Sequence, residues 1–515
     1  MDTLRRTLQR RPAMASPLVK SVVAVAALSL VALGFLELAA LRSPAPGPWW
    51  LELDPDLLGT TVSESAEVVA AVLALAITVV AIVVELAATR FSHRITFLFV
   101  REPLNLAVMG LYVITTLLCL WVGLAAPPGD ALGALVTLLL VSLSLLTLLP
   151  YLAWVFSFIS PLSVIDEIRG SGLRAVRKGR QAALLEAVDE LQEIARGALS
   201  QQDRSIAMAA VNALTDLLVD YQPLRTGRSP DWFRAGPAVR QDPDFVSLEP
   251  SSVEDIEGEG LWVEVKICRQ FIGLVPFAVP DSRDVANLIA INTRGIGVMR
   301  GSPALRALAL RCFNSYLRAT INARDPRTAY YIFHQYRKMA EELLDQGDGE
   351  ATAEIAEHFQ FYGILGYAKE QGFLLEVAAH DLVELIELCA TEGYPWIDRL
   401  LDRLLELDQE FRTETQEESL LGVRRAQVQA AVSFLDRDDL PRATRVVDDL
   451  RNESPRRLER IRRQLESEER EQYWEFTDRG ANFAYLAPER RPHLGTLFEL
   501  LEERRRAGDG ASSTP

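Results

Sequence analysis

Four long apolar stretches lie within the first 160 residues of this chain. They are residues 21–41, 68–86, 104–126 and 131–160. A helix needs about 20 apolar residues to cross the hydrocarbon core of a bilayer, and its backbone groups must form hydrogen bonds within the segment. The pattern therefore predicts a membrane α-helical fold, with a basic N-terminal segment (residues 1–20) followed by a four-helix transmembrane domain (residues 21–160).

The first stretch has an alternative interpretation as a cleaved signal peptide, because Arg5 and Arg6 are similar to a twin-arginine start. The apolar core of a signal peptide is usually about 7–15 residues long. Residues 21–41 exceed that length, and three further apolar stretches follow without a polar domain between them. These features favour a membrane span.

The basic residues indicate the orientation of the predicted spans. Clusters of Lys and Arg occur in residues 1–20, 90–101 and 169–180, whereas the loop after the first span carries Arg42 alone. Loops that stay in the cytoplasm carry an excess of Lys and Arg. The sequence therefore predicts a multi-pass protein of the inner (plasma) membrane with both termini in the cytoplasm.

Polar side chains inside the predicted spans are candidates for an intramembrane site. They are Glu37, Glu85, Ser142, Ser144 and Thr147. An intramembrane carboxylate can serve as a proton or cation site, and the hydroxyls could line a polar path. The alternative is that both carboxylates lie near an interface and reach water, while the hydroxyls bond their own helix or a neighbouring one.

A short basic loop separates the second and third predicted spans. It contains Arg90, His93, Arg94 and Arg101. The plain interpretation is a cationic strap at the level of the inner lipid headgroups, where anionic lipids attract arginine side chains. A gating role, or a contact with a partner, is the alternative.

This loop and the following span resemble a known family. The stretch Phe-Ser-His-Arg-Ile-Thr at residues 91–96, followed by Arg101, Asn105 and Gly110, is similar to the membrane core of a bacterial family of predicted four-pass proteins, catalogued only as a domain of unknown function. Members share a short basic loop of the Ser-Pro-Arg type, and histidine stands here where proline is expected. The resemblance covers mainly residues 60–200. It implies the topology and no activity.

The rest of the chain is acidic and has the composition of a soluble protein. Residues 1–160 carry 9 of the 54 basic and 10 of the 70 acidic residues, which leaves 45 and 60 in residues 161–515, a net charge of −15. The sequence pI is near 5.0. Because binding to phosphates needs a positive field, nucleic acid is not expected as a partner.

Apolar residues recur at intervals of three and four after residue 173, which predicts a mostly α-helical cytoplasmic domain built from helical hairpins. A juxtamembrane hairpin, a helical domain and a disordered tail are predicted over residues 161–221, 301–505 and 506–515. Asp203 is a predicted N-cap, and Asp325 before Pro326 is a strong helix start.

Internal similarity suggests repeated hairpins. The segments around Asp203 and Asp325 align at a spacing of 122 residues, as two related hairpins or as a chance likeness between amphipathic hairpins. Residues 428–435 and 443–450 form a third predicted hairpin around a turn at residues 436–441, similar to one tetratricopeptide-type unit. A helical array of this kind offers grooves for peptides or partner helices.

Residues 222–300 interrupt the helical pattern. Pro and Gly are frequent between residues 223 and 250, and residues 261–267 alternate partly like a strand. We therefore expect a small irregular or mixed insertion here.

Gly295, Gly297 and Gly301 form a weak pattern for an anion site. They follow the apolar run 285–291 and precede a predicted helix from Ser302. A strand, a glycine turn and a helix N-terminus would suit an anion. The spacing is one residue longer than the dinucleotide fingerprint, and the alternative is a tight turn before the next helix.

No arrangement of side chains points to catalysis, so an enzymatic activity is not favoured. His358 and His380 lack the spacing of a zinc motif and are expected as helix-face or core histidines. The cysteines are far apart: Cys119, Cys268, Cys312 and Cys389. We therefore predict neither a metal site nor a cofactor nor a disulfide.

These observations favour an integral inner-membrane protein that anchors a cytoplasmic helical adaptor or scaffold. The expected partners are the lipid bilayer and either a cytoplasmic protein or further copies of the chain, as a homo-oligomer. The alternative is an oligomeric ion channel or transporter with a cytoplasmic regulatory domain. In that case Glu37, Glu85 and the hydroxyls of the fourth span would line its path.

Overall fold

Helices form most of the part of the chain that the structure, a computed structural model, describes. The described residues are 55–90, 99–100, 102–125, 131–158, 160–279, 281–299, 302–410, 413–473 and 479–511. No strand occurs within these ranges, which agrees with the predicted α-helical fold. The chain separates into two units, Met1–Ile168 and Arg169–Pro515. We call the first the membrane unit, after its candidate spans, and the second the soluble unit, after the composition of its sequence.

The membrane unit contains three long helices among its described residues. Helices α1, α2 and α3 are Pro55–Arg90, Pro103–Ala125 and Ala131–Phe158. Each holds a segment long and apolar enough to cross a membrane: Thr60–Glu85, Pro103–Val122 and Val136–Phe156. Three of the four predicted spans are therefore present as helices, and the span predicted at residues 21–41 lies outside the described residues.

Contacts among α1, α2 and α3 bury two small groups of apolar side chains. One group includes Val69, Tyr112 and Val141, with one residue from each helix. The other includes Val84 and Tyr151. Many remaining leucine, isoleucine and valine side chains of these helices are exposed. Such exposure is costly in water but not in hydrocarbon, so the packing agrees with contact with a lipid bilayer.

Prolines shape the first part of the soluble unit. Helix α4 (Pro161–Arg177) begins in the membrane unit and ends in the soluble unit, and α5 and α6 are Gln181–Ser200 and Arg204–Arg225. The short helices α7 to α10 are Pro230–Phe233, Pro237–Gln241, Pro243–Val246 and Pro250–Glu259. Proline suits the first position of a helix because the amide there has no partner inside the helix. The proline-rich stretch therefore shortens the helices without removing them.

Helix α11 (Trp262–Ala278) replaces the strand predicted at residues 261–267, so that prediction is wrong. The strand-like alternation came from Glu264 and Lys266, whose charged side chains were expected to face solvent on one side of a strand. Both side chains are buried. Glu264 lies 3.4 Å from Arg225, and the ammonium of Lys266 lies within 2.8 Å of three aspartates. Because paired charges can occupy a buried helix face, alternation alone does not identify a strand.

The remaining helices form a stack. Helices α12 to α21 are Arg283–Gly297, Pro303–Asn322, Pro326–Asp345, Gly349–Ala368, Phe373–Glu392, Ile397–Leu405, Glu414–Asp436, Leu440–Leu450, Pro455–Ser467 and Pro492–Ala511. Helix α12 contacts α13 and α14, α14 contacts α15 and α16, and α16 contacts α17 and α18. Helix α11 joins the stack by contacting α5 and α13. Residues expected as a mixed insertion thus contribute helices to a stack of helical hairpins.

Part of the tail predicted to be disordered, residues 506–515, is helical in the structure. Helix α21 reaches Ala511 and so includes the first residues of that tail. Once a helix is nucleated, each added residue gains one backbone hydrogen bond, which favours extension. Residues 512–515 lie outside the described residues.

One type of turn recurs at four places among the described residues of the soluble unit. A residue with φ between 55° and 83° precedes an aspartate that caps the next helix, at 202–203, 324–325, 347–348 and 438–439. Each of these aspartates donates its amide to the carbonyl oxygen five residues earlier. Its carboxylate accepts an amide of the first helical turn. The predicted caps Asp203 and Asp325 are confirmed, and both halves of the predicted third hairpin are helical.

Candidate functional site

Two of the predicted intramembrane residues, Ser144 and Thr147, belong to a group of hydroxyls between α2 and α3. The hydroxyls of Tyr112 and Thr147 donate to the backbone oxygen of Ser144 at 2.7 and 2.8 Å. The hydroxyls of Thr115 and Ser144 share a hydrogen bond of 3.0 Å. These bonds lie within α3 or join it to α2, which is the second of the two roles that the sequence left open for these residues.

Asn105 and Tyr151 form another polar contact between the same two helices. The phenol of Tyr151 donates to Oδ1 of Asn105 at 2.7 Å, and Nδ2 of Asn105 donates to the backbone oxygen of Phe99 at 3.3 Å. Hydrogen bonds between helices in lipid contribute about 0.6–2 kcal/mol. Asn105 and Tyr151 are 46 positions apart, so periodicity within one helix could not pair them.

The other residues predicted for the spans and the basic loop are not brought together in the described structure. Glu85 is exposed at the end of the apolar segment of α1. Ser142 is exposed and donates to the backbone oxygen of Leu138 in its own helix at 2.9 Å. Arg90 is the last residue of α1. The residues that lie outside the described ranges are Glu37, His93, Arg94, Arg101 and Gly301.

Gly295 and Gly297 lie in the last turn of α12, where the sequence suggests a turn after a strand. The run 285–291, expected as that strand, is helical. A Cβ on Gly297 would lie 2.8 Å from the Cβ of Ala309 and would also meet a methionine of α14, whereas a Cβ on Gly295 would meet no atom within 4 Å. Gly297 thus allows close packing of helices. The predicted helix start at Ser302 is confirmed, because its hydroxyl caps α13.

A polar site of the soluble unit, which the sequence did not single out, is built from three helices and residues 479–491. Polar side chains from α14, α16 and α18 contact this segment or its partners: Tyr330, Arg337, His380, Asp381, Glu384, Glu387, Gln429 and Asp436. Positions seven apart, such as 330 and 337 or 429 and 436, share one face of a helix. We call the surface that α14, α16 and α18 present to this segment the segment groove.

The guanidinium of Arg479 is enclosed between carboxylates and aromatic rings. Its Nη2 lies 2.6 Å from Oδ1 of Asp381 and 3.0 Å from Oε1 of Glu384, and its side chain is 1% exposed. Its central carbon lies 5.4 Å from the ring centre of Tyr330 and 5.0 Å from that of Phe483. Carboxylates and aromatic faces both stabilise a cation held in this way.

Arg337 on α14 balances the charge of this cluster. Its Nε lies 3.0 Å from Oδ1 of Asp381, and its Nη1 lies 2.6 Å from Oε2 of Glu384. Arg337 also pairs with Glu341 one turn away. Two arginines and two carboxylates therefore neutralise each other where the 479–491 segment meets α16. Each of the buried charges depends on its partners, because an unpaired buried charge is strongly destabilising.

Burial changes the ionisation of groups in this cluster. Burial raises the pKa of Asp381 to about 6, even though Arg479 and Arg337 favour its charged form. Burial also acts to raise the pKa of Glu384, but the charges of both arginines outweigh it and hold that pKa below its usual value. Burial and the charge of Arg337 lower the pKa of His334 to about 3, so this histidine is neutral near pH 7.

Phe483 anchors the middle of the 479–491 segment. Its ring stacks on the imidazole of His380, with centroids 4.1 Å apart and planes at 10°. Nε2 of Gln429 donates to the backbone oxygens of Phe483 and Tyr485 at 3.2 and 2.9 Å. His380 is 6% exposed, and burial lowers its pKa, so it is a neutral core histidine. The segment is thus held through both its side chains and its backbone.

A cavity of about 710 Å³ lies between the segment and its helices. Its lining includes Glu384, Glu387 and Gln429 from the helices and Arg490 from the segment. Nη1 of Arg490 lies 2.7 Å from Oε1 of Glu387, and its Nε lies 3.4 Å from a carboxylate oxygen of Asp436. The segment therefore fills only part of the groove.

The sequence does contain a signal for this site, which is charge within an apolar helix. Helix α16 is apolar on nearly all sides, as is typical of a buried helix, yet it carries Asp381 and Glu384. Buried carboxylates need partners. One partner, Arg479, follows Glu384 by 95 positions in a stretch without helical periodicity, so the pairing could not be read from the sequence.

Comparisons with known proteins agree with the membrane assignment. Residues 13–187 match the family described as "Predicted membrane protein (DUF2254)", which confirms the resemblance seen around residues 91–110. No curated protein matches the chain. A solved structure described as "Circular tandem repeat protein with novel repeat topology and enhanced subunit contact surfaces" is similar at 15% identity and a TM-score of 0.25, over 88% of this chain and 98% of that chain. A likeness this distant carries no information on function.

Proposed function

We propose that this protein is a membrane-anchored adaptor or scaffold whose soluble stack of helical hairpins binds a protein partner or a second copy of the chain. The observation that carries the proposal is the segment groove, in which three packed helices hold an irregular polypeptide segment. They do so through charge pairs, an aromatic stack and donors to its carbonyl oxygens. Surfaces of stacked hairpins bind polypeptide in this manner.

The apolar helices serve as the anchor in this proposal. Four spans, with residues 21–41 as the first, would hold the chain in the inner (plasma) membrane with both termini and the hairpin stack in the cytoplasm. Ser200 is exposed in the soluble unit, and the native cysteines are all buried. A membrane-impermeant maleimide should therefore label a Ser200→Cys chain in opened cells and not in intact cells. Labelling of intact cells would overturn this orientation.

Site-specific photo-crosslinking of the full chain in its native membrane tests the adaptor role. Gln472 is exposed and borders the cavity of the segment groove. A photoreactive side chain there should give a discrete intermolecular product, whose mass distinguishes a partner from a second copy. The same group at Ser200, the exposed last residue of α5, serves as the control. Intramolecular products alone at Gln472 would contradict an adaptor that works through this surface.

The channel or transporter predicted as an alternative receives less support from the described residues. The hydroxyls of Ser144 and Thr147 are used in bonds within α3 or to α2. Glu85 lies at the end of the apolar segment and is exposed. A current through planar bilayers that Glu85→Gln alters would favour the channel over the adaptor.

A further inference from the structure

The 479–491 segment is held in the segment groove in the way that a bound peptide is held. It contains turns but no helix before α21. Carbonyl groups of such a segment need donors from elsewhere, and Gln429 supplies donors to those of Phe483 and Tyr485. Arg479 and Arg490 add ion pairs on either side of this anchor. The helices therefore recognise both backbone and side chains of an irregular polypeptide.

The contacts define the chemistry of the occupant. At the position of Arg479, two carboxylates require a cation, and the neighbouring rings of Tyr330 and Phe483 favour a planar guanidinium. At the position of Phe483, the stacked imidazole of His380 requires a flat ring. The groove therefore selects an arginine followed four residues later by an aromatic residue.

The unfilled part of the groove extends this preference. Glu384 and Glu387 line the cavity with side chains that are 40% and 30% exposed, and the exposed Glu471 also borders it. Arg490 pairs with Glu387 from one side. The cavity of about 710 Å³ leaves room beside these carboxylates for further basic groups. A more basic peptide than the chain's own segment would gain contacts there.

We propose that the segment groove is a binding site for partner segments with an arginine four positions before an aromatic residue, and that residues 479–491 occupy it as an internal competitor. This inference rests on the proposed adaptor function and names the chemistry of the partner. A tethered segment competes at a high effective concentration, so a partner must form additional contacts to displace it. The carboxylates of Glu384 and Glu387 offer such contacts to a basic partner.

A fluorescent peptide with the sequence of residues 479–491, added to the full chain in detergent, tests the proposal. The chain variant Phe483→Ala weakens the internal competitor and leaves the ion pairs of Arg479 in place. We expect this variant to bind the peptide at least tenfold more tightly than the unaltered chain. The control variant Phe498→Ala changes an aromatic residue of α21 whose ring contacts Arg462. Its affinity for the peptide should equal that of the unaltered chain.

Changes in the peptide and in the groove test the recognition itself. Peptides with alanine at the position of Arg479 or of Phe483 should bind the Phe483→Ala chain at least tenfold more weakly. Adding Asp381→Asn to that chain should have a similar effect, because a carboxylate partner is lost. Adding Gln429→Ala removes the side-chain amide that donates to the carbonyl oxygens of the segment, without a change of charge, and should also weaken binding. Helical circular dichroism identifies the variants that keep the fold.

The outcomes separate this inference from the adaptor proposal. Equal peptide affinity for the unaltered and Phe483→Ala chains, or absence of binding to a folded Phe483→Ala chain, would overturn the groove assignment. Intermolecular crosslinks from Gln472 that persist in such a case would leave the adaptor role intact. Peptide binding to the Phe483→Ala chain without any intermolecular crosslink from Gln472 would support the groove assignment and contradict the adaptor role. Dimerisation that Phe483→Ala abolishes would assign the segment to a second copy and overturn its role as an internal competitor.

Discussion

The guanidinium of Arg479 and the carboxylate of Asp381 lie 2.6 Å apart, with 1% and 0% of their side chains exposed. Both groups lose their hydration, so the net gain from such a pair is small. Loss of one partner is far more costly because the other charge stays buried without compensation. We infer that this pair fixes the position of the 479–491 segment on α16.

Replacement of Arg479 by methionine should loosen the segment. Arg479→Met leaves Asp381 with Arg337 as its remaining cation, and loss of one partner of a buried pair costs about 3–5 kcal/mol. Hydrogen exchange of residues 479–491, measured by mass spectrometry, should accelerate by about 100-fold or more. The control Arg463→Met removes a guanidinium that is 71% exposed and should change exchange by less than about fivefold. Protection retained in Arg479→Met would contradict the inferred role of the pair.

Acid should destabilise the soluble unit through its buried histidines. Burial lowers the pKa values of His334, His358 and His380. The unfolded chain therefore binds more protons than the folded chain below about pH 6.5, the ordinary histidine range. The contribution of these neutral histidines to the free energy of unfolding is fully present above that pH. As the pH falls below it, the free energy of unfolding decreases by up to about 1.4 kcal/mol per pH unit for each histidine.

The replacement His380→Phe isolates one of these contributions. Phenylalanine keeps a flat ring against Phe483 but does not titrate. When the pH is lowered from 7 to 5.5, the free energy of unfolding, measured in urea, should decrease in both proteins. The decrease should be smaller in the His380→Phe variant by about 1 kcal/mol. Asp381 acts in the opposite direction, since its raised pKa of about 6 makes its contribution decline as the pH rises towards 6. It is present in both proteins, so the difference reports His380, and identical pH profiles would contradict the prediction.

Two glycines of α12 should respond in opposite ways to alanine. Gly297→Ala places a methyl group 2.8 Å from Ala309 and against Met339, and overpacking of this kind costs about 1–3 kcal/mol. Gly295→Ala meets open space in a helical turn and should stabilise the chain by about 0.5–1 kcal/mol. Thermal unfolding measures both effects. Equal destabilisation by both changes would show that helix packing does not explain the glycines.

The recurring turn predicts another pair of opposite effects. Arg324 has φ 55° and Gly347 has φ 83° at equivalent positions before a capping aspartate. Arg324→Gly removes a left-handed side chain and should stabilise the chain by about 0.5–1 kcal/mol, whereas Gly347→Ala introduces one and should cost about 1–2 kcal/mol. Urea unfolding of the two variants tests this. A loss of stability in Arg324→Gly would mean that its side chain contributes more than the turn does.

A polar contact of the membrane unit should contribute measurably to its stability. Tyr151→Phe removes the hydroxyl that donates to Asn105 and should cost about 0.6–2 kcal/mol when unfolding in mixed micelles is followed. Ser142→Ala removes a hydroxyl that bonds only the backbone of its own helix, and its effect should be close to zero. A large effect of Ser142→Ala on stability or on ion flux would indicate that this exposed hydroxyl has a further role.

Local patterns were sufficient wherever the determining interaction lies within a few residues. Apolar runs predicted the three described membrane helices because hydrocarbon requires each span to bond its own backbone. The caps Asp203 and Asp325 were predicted because a capping carboxylate accepts amides two or three residues ahead. The hydroxyls of Ser144 and Thr147 were recognised as polar, but the partners of Ser144 on α2, Tyr112 and Thr115, were not.

Tertiary structure decided the features that depend on distant partners. Lys266 was expected on the exposed side of a strand, because the aspartates that neutralise it when buried come from other elements and could not be identified from the sequence. The segment groove could not be predicted, because Arg479, one of the two partners of Asp381, belongs to a segment without periodicity. The sequence by itself therefore determined the membrane helices and the helical hairpins. Only the fold decided which buried charges meet, since pairing depends on distance in space and not along the chain.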